Sequence, residues 1–290
     1  MGALTVTGMA TLPNPLPSLA TDPSGRSLGL RLPPGRLVDT TDDGPWHEPL
    51  LWHAEKQAAP GTWAALGAPA SRAGLLPVIV ELGGPQGGPD GWELMPGDMS
   101  YPGDHDAEDV LAEYWGGEGA EDGPEDEPRA AFGEELAELL EPFGAHWPGL
   151  APAGTLTADP GTRAAQVADS VAAGTWLRDA RLALVPSRRS ADIPAAIGWT
   201  GPLNHENDVA RLCAVLRSWE DRFGIRVVAL GFDVLVVSVA APPSTLADAE
   251  ALAAEHFAFC PDNIAQGDAG GLRAYAKALV GEPSWTFWWD

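Results

Sequence analysis

The sharpest hydrophobic patterning lies in the second half of the chain. "RLALVP" is a short apolar run stopped by Pro186 and predicts a strand. "NHENDVARLCAVLRSWEDRFG" sets Val209, Leu212, Cys213, Leu216 and Phe223 on one face, which predicts a helix. Asn204 or Asn207 is placed to cap it and Gly224 to end it. "IRVVAL" and "VLVVSV" predict two strands joined across Gly231–Asp233, a hairpin-length connection. The second run is apolar on both faces, as a central strand requires. "PPSTLADAEALAAEHFAFCP" predicts the next helix: Thr245 with Asp248 resembles a capping box, and Pro261 stops it. "GGLRAYAKALVG" reads as a short extra helix. "SWTFWWD" then reads as a strand, with Trp285, Phe287 and Trp289 on one face and Thr286, Trp288 and Asp290 on the other.

Leaving out the short helix, residues 163–290 read β-α-β-β-α-β, the split βαβ order of ferredoxin-like folds. The expected class is α+β. The pattern is weaker before residue 163. Residues 1–20 are Pro-punctuated and read as an extended arm. Residues 21–147 read as an α+β region. It holds a strand signal in "SLGLRL", a small-residue helix around Trp63–Ala73 and a buried strand in "LLPVIVEL". A loop rich in Gly and Pro follows. "DAEDVLAEYWGG" and "FGEELAELLEPFG" predict two short helices, the second with Leu136, Leu139 and Leu140 on one face. The acidic insertion between them, about 116–129, has no large apolar residue and reads as disordered. Residues 148–162 have the composition of a linker.

Charge changes the picture most. The 290 residues carry a formal net charge of -24. From Asp104 to Glu141 there are fifteen acidic residues and one Arg, whereas Trp176 to Asp290 is nearly balanced, with fourteen acidic and ten basic. Such a charge repels nucleic acid and anionic lipid and would favour a basic protein partner, against the plainer reading of an acidic insertion that solubilises the chain. No stretch approaches the roughly 20 apolar residues of a membrane helix. The opening "MGALTVTGMATLPNPLPS" is a poor secretion signal, and two cysteines make no disulfide framework, so a cytoplasmic location is expected.

Four stretches of the second half carry a resemblance. They are "LALVPSRRSADIPAAIGWTGPLN", "VLRSWEDRFGIRVVALGFDVLVVSV", "AAPPSTLADAEALAAEHFAFCPDNIAQG" and "WTFWWD". Together they span about 180–290, and this part resembles a bacterial domain of unknown function common in actinobacteria. The resemblance implies a domain and no catalytic residue. Only two lysines beside abundant Ala, Gly, Pro and Arg fit the same origin.

The candidate chemistry is sparse. His256 and Cys260 sit four apart on one helix, where Cys213 could add a third metal ligand, but no CxxC or HExxH is present. Free Cys on an apolar helix face usually packs as a small hydrophobe, so no metal is expected. Glu255 beside His256 could form an acid–base pair, against the plainer reading of a solvated Glu and a packed His. Arg188, Arg189, Trp199 and Asn204 lie in a long loop after a strand, where sites are often built. Either Arg could pair with Asp290. The candidate pocket at the end of the sheet is therefore Arg188, Trp199, Asn204, Glu255, His256, Asp262, Trp288 and Asp290. Asp98, Asp104, Asp106, Glu108 and Asp109 lie close together without the EF-hand pattern. P-loop, GxGxxG and GxSxG motifs are absent, and no cofactor is expected. The reading that follows is a non-enzymatic binding protein, of the immunity type, whose acidic surface meets a basic partner. The alternative is an enzyme or small-ligand binder using that pocket. Convergence of the eight side chains in one cavity would favour the alternative.

Overall fold

The computed structural model describes residues 13–115 and 134–290. Among the described residues nine strands form: β1 (Gly35–Val38), β2 (Thr40–Thr41), β3 (Gly44–Pro45), β4 (Leu51–Gln57), β5 (Leu75–Val80), β6 (Arg181–Pro186), β7 (Arg226–Leu230), β8 (Val234–Ser238) and β9 (Ser284–Trp288). The described helices are α1 (Thr62–Arg72), α2 (Ala107–Trp115), α3 (Glu134–Leu139), α4 (Pro160–Ala173) and α5 (Ile193–Ile197). They continue with α6 (Val209–Phe223), α7 (Leu246–Phe259), α8 (Asp262–Ala265) and α9 (Leu272–Leu279). The protein is α+β. Seven strands make one mixed sheet in the order β1-β4-β6-β5-β7-β8-β9, and β2 and β3 form a separate pair.

The expected chain order β-α-β-β-α-β is present as β6, α6, β7, β8, α7 and β9. A ferredoxin-like sheet would set the last of these strands beside the first. Here β9 pairs antiparallel with β8, and β5 stands between β6 and β7. β5 is antiparallel to β6 and parallel to β7, so β6 and β7 run in opposite directions. The reason lies in β5 itself. Its side chains are apolar on both faces, and such a strand is stable only inside a sheet. The sheet thus crosses the stretch 148–162, and that stretch is itself pinned: Thr157 N donates to Ala240 O at 2.8 Å and Gly154 N to Arg222 O at 3.1 Å.

Alternation along the strands divides the core. Val78, Val80, Ala183, Val185, Val227, Leu235, Val237, Trp285 and Phe287 pack with α2, α6, α7 and α9 on one face. Ile79, Leu182, Val228 and Val236 pack on the other with Trp63 and Leu66 of α1 and with Ala164, Val167, Ala168 and Val171 of α4. The helix ends follow local chemistry. Asp159 accepts from Thr162 N to start α4, and Thr245 accepts from Asp248 N to start α7. Asp208, rather than Asn204 or Asn207, caps α6 by accepting from Ala210 N. Gly224 ends α6 in the left-handed conformation at φ 61.

Three departures in the N-terminal region have local causes. "SLGLRL" is not a strand. Gly25 and Gly29, at φ 69 and 73, bracket a 3-10 turn over Arg26–Leu28, and left-handed residues cannot continue an extended path. β4 had no counterpart in the sequence pattern: its first four residues are buried and its last three exposed, with no alternation. Of the arm at 1–20, residues 16–20 form a 3-10 helix that buries Leu16 and Leu19. These pack against Leu30, Trp52, Ala70, Leu75 and Leu184. Residues 1–12 of the arm and the acidic insertion 116–129 lie outside the described residues.

Candidate functional site

The C-terminal half of α7 is buried all round, from Leu252 to Phe259, and carries both acid–base candidates into the core. Glu255 is fully buried. Its Oε1 accepts from Ala151 N at 2.7 Å and from Arg222 Nη1 at 2.8 Å. Its Oε2 accepts from Trp219 Nε1 at 2.8 Å and from Arg222 Nη2 at 2.5 Å. A buried carboxylate persists only when paired in this way. Arg222 also donates to Ala151 O at 2.8 Å, which ties the segment before α4 to α6 and α7. Both carboxylate oxygens are occupied and no substrate can reach them, so Glu255 works as a structural anion.

His256 is fully buried too. Trp219, Trp285, Phe287 and Tyr275 surround its ring, with centroids 5.0, 4.6, 4.9 and 5.8 Å away. Nδ1 lies 3.0 Å from the Tyr275 hydroxyl. Burial, and secondarily the Arg222 cation, lowers the His256 pKa to about 3, so the imidazole is neutral at ordinary pH. Burial also raises the pKa of the Tyr275 phenol, which stays protonated. Glu255 and His256 thus point to different partners, one to α6 and the other to α9.

Asp262 and Trp288 belong to a clamp on the outer edge of β9. Cys260, at the end of α7, donates Sγ–H to Trp288 O at 2.9 Å. Asn263 donates Nδ2 to Thr286 O at 2.7 Å and accepts at Oδ1 from Trp288 N at 3.2 Å. Its amide imitates one rung of a neighbouring strand. Asp262 Oδ2 accepts from Asp290 N at 3.0 Å. The segment Cys260–Asn263 thereby closes an edge that would otherwise be open to pairing. Asn204 completes the arrangement by donating Nδ2 to Asp290 O at 2.8 Å.

The loop candidates divide. Trp199 is buried, donates Nε1 to Gly231 O at 2.9 Å and packs edge-on against Trp289 at 5.7 Å. Arg188 is exposed. Arg189 pairs with Asp221 at 2.6 Å on α6. The proposed partnership of Arg188 or Arg189 with Asp290 is therefore not formed: among the described residues, Asp290 makes no ion pair with any Arg. Of the eight candidates, Asn204 and Asp262 meet at the backbone of Asp290, and Trp288 is held beside them by Cys260 and Asn263. Trp199, Glu255 and His256 are core residues, and Arg188 stands apart. A shallow, largely apolar groove of about 440 Å³ lies elsewhere, between Gly29–Pro33 and α1, lined by Arg31, Thr62, Leu66 and Pro69.

Among the described residues no group of three or more His, Cys, Asp or Glu side chains is placed to hold a metal ion. Cys213 and Cys260 are free and buried. Burial pushes the Cys260 thiol up to about 12 and raises Cys213 as well, so neither is a ready thiolate ligand or nucleophile. In the acidic run at 98–109, Asp106 Oδ1 accepts from Glu108 N at 2.9 Å and Asp109 N at 3.2 Å, which caps α2. Sequence reasoning missed Arg222, Trp219, Asn263 and Tyr275. The signal available was Arg222 on the same face of its helix as Trp219, three residues before it.

Among the described residues no helix is long and apolar enough to cross a membrane. No curated protein and no solved structure matches the chain. The joined segments, β6 through α6 to the clamp and β9, are the ones that a family comparison picks out. Residues 181–290 match the family described as a domain of unknown function, DUF4253, and so this C-terminal part of the chain carries that domain.

Proposed function

We propose that the protein is a non-enzymatic binding protein whose acidic surface takes a basic protein partner. One observation supports this reading: the side chains best suited to acid–base chemistry, Glu255 and His256, are consumed by the core, in a chain whose sequence carries a net charge of -24. Asp98, Asp104, Asp106, Glu108 and Asp109 are all exposed. The arginines nearest to them are committed internally, Arg211 to Glu113 and Glu206, and Arg217 to Asp192. A surface of one sign speeds encounter with the opposite sign and rejects like-charged partners. Nucleic acid and anionic membrane are excluded from this proposal on the same ground. Two separate buried thiols suit a reducing compartment, and we place the protein in the cytoplasm.

The test uses the full chain as bait at low and high salt, beside a variant with Asp104, Asp106, Glu108 and Asp109 replaced by Asn or Gln. A basic protein held by the parent, weakened by salt and lost with the variant, is the expected result. Capture that ignores both salt and neutralisation would overturn the reading, as would capture of no protein at all.

A further inference from the structure

The polar chain around His256 fixes where its protons sit. Backbone groups set the orientation of Asn263, because Oδ1 must face Trp288 N–H and Nδ2 must face Thr286 O. The second Nδ2 hydrogen is directed at the Tyr275 hydroxyl, 3.3 Å away. That oxygen accepts, which leaves its own proton for His256 Nδ1 at 3.0 Å. Nδ1 is then the acceptor and Nε2 carries the hydrogen. Nε2 has no hydrogen-bond partner among the described residues, and the imidazole lies among the rings of Trp219, Trp285 and Phe287.

A second proton breaks this chain. Nδ1 becomes a donor, and the Tyr275 hydroxyl must turn its proton away from it. Asn263 offers only its amino group on that side, so the phenolic proton has no acceptor there. The surrounding charges give no relief. Arg222 on α6 is a cation. Glu255, next to His256 on α7, has both oxygens occupied. On α8, Asp262 is held by Asp290 N and Gln266. Cys260, just past α7, donates to Trp288 O, α9 presents the neutral phenol, and β9 presents rings. The depressed pKa of His256 agrees with this geometry.

We propose that His256 is an acid-sensitive latch on β9. Neutral, it holds the Tyr275–Asn263 chain closed over the outer edge of the strand. Protonated, it releases that edge from α8 and α9 while the rest of the sheet stays paired. The proposal stands independently of any partner.

Amide hydrogen exchange of the full chain between pH 7.5 and 5.0, with each rate divided by its intrinsic value, tests it. For an opened state in which His256 regains an ordinary pKa near 6.5, protection at the Trp288 amide should fall about 30-fold over this range. Protection along β5 should not change. In His256→Phe, which keeps a ring and removes the titration, the pH dependence at Trp288 should vanish. If that variant does not fold, ring nitrogen chemical shifts of the parent at pH 7.5 should show Nδ1 bare and Nε2 protonated. The latch is overturned by constant protection at Trp288, by an equal loss along β5, or by a proton found on Nδ1.

Discussion

The Arg222–Glu255 pair sets the stakes for single side chains. Its carboxylate has no exposure, so removing the guanidinium strands a charge in the core. Arg222→Met should destabilise the fold by about 3–5 kcal/mol, measured by urea unfolding. Replacing both residues with apolar side chains of similar volume should recover much of that loss, because the stranded charge disappears as well. A double variant as unstable as the single one would show that the Ala151 and Trp219 contacts matter more than the charge. Acid acts at the same scale. The folded pKa of His256 lies below its unfolded value, so the stability it contributes is complete above about 6.5 and is lost as pH falls toward 3.

At the level of elements, β9 shows why an aromatic tail belongs in a core. Phe287 stacks on Trp219 at 5.4 Å, and Trp285 and Trp289 meet Phe223 and Phe259 at 5.6 Å. Phe287→Ala should cost about 3–5 kcal/mol. Deleting the last six residues should abolish the cooperative transition in differential scanning calorimetry; an unchanged midpoint would refute this role. The strand itself was legible, because alternation gives each face of "SWTFWWD" a distinct character. So were α1, α6, α7 and β5 to β8, whose patterns are local. β4 was not, since its burial follows neighbours rather than alternation. The candidate site was legible only in part. Sequence set all eight candidates together at the end of the sheet, but whether Glu255 faces solvent or Arg222 depends on a partner helix, which spacing along α7 does not reveal.

For the molecule as a whole, the matched segment 181–290 and the structural unit differ. β6 and β7 both lie inside that segment, yet neither touches the other across the sheet, because β5 fills the place between them. Residues 163–290 expressed alone should therefore fail to give a dispersed amide spectrum, and co-expression with the remainder should restore it. A dispersed spectrum from the isolated fragment would show that β6 and β7 can close the gap without β5.

The position of β5 also governs how the chain is made. Val80 pairs with Arg181, about 100 residues later, and with Leu230, about 150 residues later. During synthesis the run "LLPVIV" leaves the ribosome long before either neighbour exists, and contacts this distant form slowly. For that interval the nascent protein carries an unpaired apolar strand, the kind of segment that aggregates or recruits a chaperone. Slowing elongation before residue 181 should lower the soluble yield, whereas the same delay after residue 230 should leave it nearly unchanged.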